Sequence, residues 1–273
     1  MTDVDLSTDN AGSSERATRV KILCVGPGGQ GKTSLEATLP GKKFAYIFDQ
    51  SALPTLRGVD LDYKLFLQDE IPTTATPLAG AAAAKASRAA SWKPDKYIEF
   101  EKDLQARLEA GFFDDYDWLI IDSFTMLADL VMDYILYLNG RPGKWPEMAD
   151  WTANINTMTN IFRKLSSLNI NVYCTAHTDF EKDEQTGRMV NQLQMSARLR
   201  SRIPMLFSDI WLAQADTDKE GMATFTVQTT SDRTNPFLRN SFRGKLPSTV
   251  DVTIASWEKP EISGVGKILK SRT

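Results

Sequence analysis

Two cysteines and one histidine among 273 residues leave little material for cross-links or metal clusters. Cys24 and Cys174 lie far apart inside apolar runs, so they form no disulfide framework and read as small buried hydrophobes. A lone His177 supplies no zinc cluster. No run of about 18 apolar residues occurs, so no membrane-spanning helix is expected. An excess of positive charge is also missing. Lysine plus arginine number 32 against 35 aspartate plus glutamate, a net charge of −3. That excludes a globally basic nucleic-acid coat, although not a local basic patch. The opening stretch, MTDVDLSTDNAGSSER, is polar and acidic, unlike a secretory signal. The chain therefore reads as cytoplasmic with free thiols. With 42% hydrophobic and 25% charged residues, the composition is that of an ordinary soluble domain and is neither collagenous nor wholly disordered.

What is present is organised around alternating strand and helix signals. Residues 1–18 are nearly devoid of apolar side chains and read as a disordered tail. Val20 to Gly26, Phe44 to Asp49, Tyr63 to Gln68, Asp117 to Asp122 and Asn171 to His177 are short apolar, β-rich runs that suit buried parallel strands. Between them, residues 32–39, Lys96 to Ala110, the run from Met126 to Leu138 and the run from Trp151 to Leu168 carry helical spacing. Arg198 to Phe207 reads as one further helix. An Ala-rich insertion spans about residues 73–95. Three late strands, SDIWLAQ, ATFTVQT and VDVTIASW, suggest an antiparallel extension at one edge. The expectation is a single α/β domain over residues 19–258 with a mainly parallel central sheet, followed by a basic tail at 259–273.

Residues 26–33 read GPGGQGKT, matching G-x-x-x-x-G-K-[ST] after a strand and before a helix. Such a P-loop, from Gly26 through Pro27, Gly28, Gly29, Gln30 and Gly31 to Lys32, Thr33 and Ser34, turns its backbone N–H groups inward as an anion nest at a helix N-terminus. Lys32 reaches β- and γ-phosphates, and the Thr33 hydroxyl suits Mg²⁺. A P-loop also needs a carboxylate for the metal, and Asp122, ending WLIID, fits. Ser123 either orients that metal shell or caps the helix after it. Asp49 and Gln50 end the inserted strand, where they either lie near an attacking water or mark a polar exit from the strand. His177 ends a strand expected between those of Gly26 and Asp122. There it either senses γ-phosphate or is an ordinary structural histidine.

Together, GPGGQGKTS, FAYIFDQSALPTLRGVD, DWLIIDSFTML and VYCTAH resemble the RecA-like core ATPases over about residues 19–257. The pattern is most similar to the short phage-encoded ATPases of the Sak type. The resemblance implies ATP and Mg²⁺ as cofactors and ATP hydrolysis in DNA recombination or single-strand annealing. It also implies head-to-tail self-assembly in a bacterial host cytoplasm, with single-stranded DNA and a single-strand-binding protein as candidate partners. It carries Arg233, in TTSDRTNPF, over to the cation that reaches a neighbouring subunit's nucleotide; the alternative is a solvated turn arginine. Two features depart from the pattern. Gln50 stands where the family has a catalytic glutamate, so either Asp49 supplies the base or hydrolysis is slow. The loop after His177 sets Asp179, Glu181, Asp183 and Glu184 against Lys182 and Arg188, which is a poor phosphate-binding surface. The competing readings are an ATP-operated switch or loader with little hydrolysis and no direct DNA binding, and, with less weight, a small-molecule kinase. No N-K-x-D motif points to a GTPase.

Overall fold

The structure is a computed structural model that describes residues 14–68, 92–184 and 187–271. Its strands are β1 (Lys21–Gly26), β2 (Lys43–Ile47), β3 (Asp62–Leu65), β4 (Trp118–Asp122), β5 (Asn171–Lys182), β6 (Met189–Leu193), β7 (Asp209–Thr217), β8 (Ala223–Gln228) and β9 (Thr249–Asp251). The helices are α1 (Ser34–Ala37), α2 (Ala52–Thr55), α3 (Lys96–Glu109), α4 (Phe124–Leu138), α5 (Met148–Ser167), α6 (Ala197–Arg202) and α7 (Gly264–Lys270).

Six strands run parallel in the order β3-β2-β4-β5-β1-β7, and β8 and β9 continue the sheet antiparallel. The expected α/β architecture with an antiparallel edge is thus the observed one. The unbroken apolar runs have a simple cause: both faces of the sheet are covered, so alternation would place polar groups in a core. Every residue of β2 and β4 is buried. One face packs Leu119, Ile121, Phe44 and Tyr46 under α3, α4 and α5. The other packs Ile22, Cys24, Ile120 and Tyr173 under α1 and α7. Both cysteines are free and buried, as their surroundings indicated. The two edges are short, four residues in β3 and three in β9, which limits the unpaired ladder exposed at each side.

Several boundaries differ from expectation. The helix after the P-loop is only Ser34–Ala37, because Pro40 bars the α conformation from continuing. The second strand ends at Ile47, leaving Asp49 in the turn beyond it. The strand expected between Gly26 and Asp122 is β5, while the inserted β2 lies on the far side of β4. The last strand shrinks to Thr249–Asp251. The expected basic tail is instead docked structure. In α7, Val265 and Ile268 are buried beside Leu35 and Leu39, and the Thr38 hydroxyl accepts from Val265 N at 2.9 Å. Most of the Ala-rich insertion, and the first 13 residues of the N-terminal tail, lie outside the described residues, while Glu15–Thr18, expected within the disordered tail, form a short 3-10 helix.

Candidate nucleotide site

The parallel strands point their C-terminal ends toward one edge, and in open α/β sheets that edge is where ligands bind. There the P-loop, Asp49, Ser51, Thr55, Asp122, His177 and Phe225 line a cleft of about 350 Å³. Strand register brings the pieces together. Gly26 pairs with His177 across β1 and β5, and Ile121 pairs with Cys174 across β4 and β5.

The Thr33 hydroxyl donates to Asp122 Oδ2 at 2.9 Å. The second Asp122 oxygen accepts from the Thr175 hydroxyl on β5. Lys32 Nζ donates to the carbonyls of Gly26 and Pro27, both at 2.7 Å. Burial lowers the Lys32 pKa, an effect partly offset by Cys24 and Asp122. Glycine is required at two P-loop positions. Gly26 has φ +151, and an added Cβ would lie 2.8 Å from the Ala213 carbonyl oxygen. Gly31 has φ +81, and its Cβ would strike the Phe225 ring. Oxygen donors alone, a hydroxyl and a carboxylate, suit a hard dication such as Mg²⁺.

Ser123 caps α4, its hydroxyl accepting from Met126 N at 3.3 Å. His177 donates its backbone N–H to the Thr125 hydroxyl at 2.9 Å. Burial lowers the imidazole pKa, with the Lys32 charge acting the same way. The neutral ring is thereby favoured, and it lines the cleft. From His177 the chain runs without a break into a hairpin, the distal half of β5 against β6. The acidic loop anticipated there is thus an antiparallel ribbon, and its Glu181 holds Arg200 in a pair with contacts of 2.6 and 2.7 Å.

Asp49 does line the cleft, with Oδ1 accepting from Ser51 N at 2.9 Å and Oδ2 from the Ser51 hydroxyl at 2.7 Å. Gln50 does not line it. Its neighbours are Leu53, Pro54 and Tyr63 in a separate, more apolar groove, because the turn into α2 carries successive side chains in opposite directions. Arg233 is exposed and is not among the cleft residues. Asp232 organises its turn by accepting from the backbone N–H groups of Thr234 and Asn235.

Two residues went unnoticed in the sequence. Glu36, one helical turn after Thr33, is wholly buried, and neither carboxyl oxygen meets a hydrogen-bond donor among the described residues. Burial, and then the charge of neighbouring Asp122, push its carboxyl well above the ordinary range. Phe225 comes from the antiparallel edge and enters the cleft beside Gly31. The pattern ATFTVQT placed Phe225 and Val227 on one face of a strand, but only the β7–β1 pairing reveals which loop that face meets.

A protein-family profile described as an AAA domain matches residues 18–259. No curated protein matches the chain. Among solved structures, the flagellar accessory protein FlaH from Methanocaldococcus jannaschii is 11% identical, with 86% of this chain and 85% of that one covered at a TM-score of 0.43. An ATPase from the type III secretion system of pathogenic bacteria is also 11% identical, with 74% and 52% covered at a TM-score of 0.38.

Proposed function

The chain belongs to the AAA domain family of P-loop ATPases, and from that premise we propose that it binds ATP with Mg²⁺ and hydrolyses it slowly in the service of DNA recombination or single-strand annealing. The observation that carries the nucleotide part is the Thr33–Asp122 hydrogen bond at the mouth of a complete P-loop. The Gly26–Thr33 backbone would cradle phosphates, and Lys32 would exchange its two carbonyl partners for β- and γ-phosphate oxygens. Thr33 and Asp122 would hold the magnesium ion, which when bound supplies charge neutralisation on the phosphates. Asp49, the cleft carboxylate besides Asp122, would orient water. Both its oxygens are already occupied by Ser51, so proton abstraction is weakened and slow turnover is expected. His177 joins the cleft to the β5–β6 ribbon and would relay nucleotide state to it. Arg233, outside its own cleft, is read as acting on a neighbouring copy in a head-to-tail assembly.

The DNA part rests on the sequence resemblance. The exposed arginines Arg198 and Arg202 beside the ribbon are its structural counterpart, and no helix is long and apolar enough to cross a membrane among the described residues. The Ser51 bonds to Asp49 also favour a second reading, an ATP-operated switch that binds nucleotide, hydrolyses little and contacts no DNA. ATP binding and turnover of wild type and Lys32→Ala, each with and without single-stranded DNA, test both. ATP binding that Lys32→Ala abolishes, with hydrolysis stimulated by DNA, supports the first reading. Binding without DNA stimulation supports the switch, and unimpaired hydrolysis by Lys32→Ala refutes the site.

A further inference from the structure

The cleft is unevenly furnished. Its described lining is glycine backbone, lysine, hydroxyls, carboxylates and an imidazole. These suit phosphate and metal, and they offer an apolar base nothing to lie against. The one hydrocarbon ring in the lining is Phe225.

Its placement is a product of the antiparallel edge. β7 pairs with β1 only through Leu212 opposite Val25, then continues to Thr217, so the β7–β8 hairpin overhangs the P-loop. Phe225 sits in that overhang, opposite Ala215. Gln30 of the P-loop ties the same place down, its side-chain oxygen accepting from Ala215 N at 2.7 Å. The ring position is fixed from the other side as well. Phe225 N donates to the Thr253 hydroxyl at 2.9 Å, and its carbonyl accepts from Val252 N at 2.9 Å. The ring is half-buried against the core under α1, and an added Cβ at Gly31 would lie 2.7 Å from its Cδ1. The aromatic group is thus held on a strand, next to the loop that takes the phosphates. A ligand with a triphosphate at one end and a planar heterocycle at the other matches that pairing. An aromatic surface accepts any base, because every base has a π-face. One neighbouring side-chain acceptor, Gln30 Oε1, already accepts from Ala215 N.

We propose that Phe225 is the platform for the nucleotide base, and that the cleft takes nucleoside triphosphates by stacking, with little preference between adenine and guanine. The proposal rests on the nucleotide reading above and names the substrate class of that site.

Equilibrium binding of ATP, GTP and inorganic tripolyphosphate, with Mg²⁺ and the full chain, tests it. Wild type should bind ATP and GTP within about tenfold of one another. Phe225→Ala should weaken both nucleotides roughly ten- to hundredfold, the loss expected for one stacked base, and leave tripolyphosphate within about twofold. Phe225→Leu keeps apolar packing in the hairpin and should lose nearly as much nucleotide affinity, which separates stacking from folding. Unchanged ATP binding in Phe225→Leu overturns the platform. An equal loss for tripolyphosphate would mean that the ring merely props the P-loop, and overturns it too. A wild-type preference for ATP beyond about tenfold refutes selection by stacking. If wild type binds neither ATP nor tripolyphosphate, the nucleotide reading itself has failed, and that result precedes any substitution.

Discussion

Thr33 and Asp122 are 89 residues apart in sequence and 2.9 Å apart in space. That contact joins the loop after β1 to the end of β4, although β5 lies between the two strands. β5 contributes the third member, Thr175, on the other oxygen of the same carboxylate. Three strands therefore converge on one aspartate.

Asp122→Asn is expected to lower turnover by about two orders of magnitude or more, since it removes the charge facing the metal. Stability should change much less, because the amide retains one acceptor oxygen for the threonine hydroxyls. Thermal melting and Mg²⁺-dependent ATP binding, measured on the same sample, check this. A collapse of the melting temperature would mark Asp122 as structural.

Glu36 gives a pH-dependent prediction. Its carboxyl is raised in the fold, so the native state holds a proton that the unfolded chain releases above the ordinary glutamate range. The native state binds more protons there, and stability falls as pH rises toward 7. Glu36→Gln removes that dependence. The substitution should raise stability at pH 7, read as a higher melting temperature. The gain should vanish as pH approaches 4.5, the ordinary value for the group. A variant less stable than wild type at pH 7 and 8 would show Glu36 to be ionised and paired.

Gln50 faces the groove with Leu53 and Tyr63 and is not part of the nucleotide cleft. Gln50→Glu should therefore leave turnover within about twofold, because a carboxylate outside the cleft cannot orient the attacking water. A several-fold acceleration in steady-state assays would show that the side chain reaches the nucleotide.

For Arg233, the expected signature is complementation. A cation delivered to the γ-phosphate in trans raises the rate by about 10³ or more. Arg233→Ala and Lys32→Ala should each be nearly inactive, and their mixture should recover part of the turnover. Mixed oligomers that remain inactive would return Arg233 to the role of a turn residue.

The parts of this molecule that were legible in the sequence are those fixed by local rules. Strands buried on both faces carry continuous apolar runs, so β1, β2, β4 and β5 could be read directly. The P-loop is legible because its glycines and Lys32 answer to one geometry. Less legible were features that depend on what a residue meets. The direction of Gln50 is set by a turn of a few residues. Nothing in the sequence marks Glu36 as buried; that depends on the fold placing Asp122 beside it. Residues 259–273 read as a basic tail, and glycines at 264 and 266 give no helix signal. Here they are needed: a Cβ at Gly266 would lie 2.1 Å from the Glu261 carbonyl oxygen and 2.8 Å from that of Thr38.

The order of the sheet also governs how the protein is made. β1 is made well before both its sheet neighbours, β5 and β7. Val20 bonds to Asn171, 151 residues on, and Lys21 bonds to Ser208, 187 residues on. At about 5–20 residues per second, synthesis takes roughly 8 to 30 s to supply the first of these partners. For that interval the run from Ile22 to Val25 has no ladder to join and must be shielded from other nascent chains. The P-loop is thus translated long before the strands that give it its shape, and nucleotide can assist only the closing steps of folding.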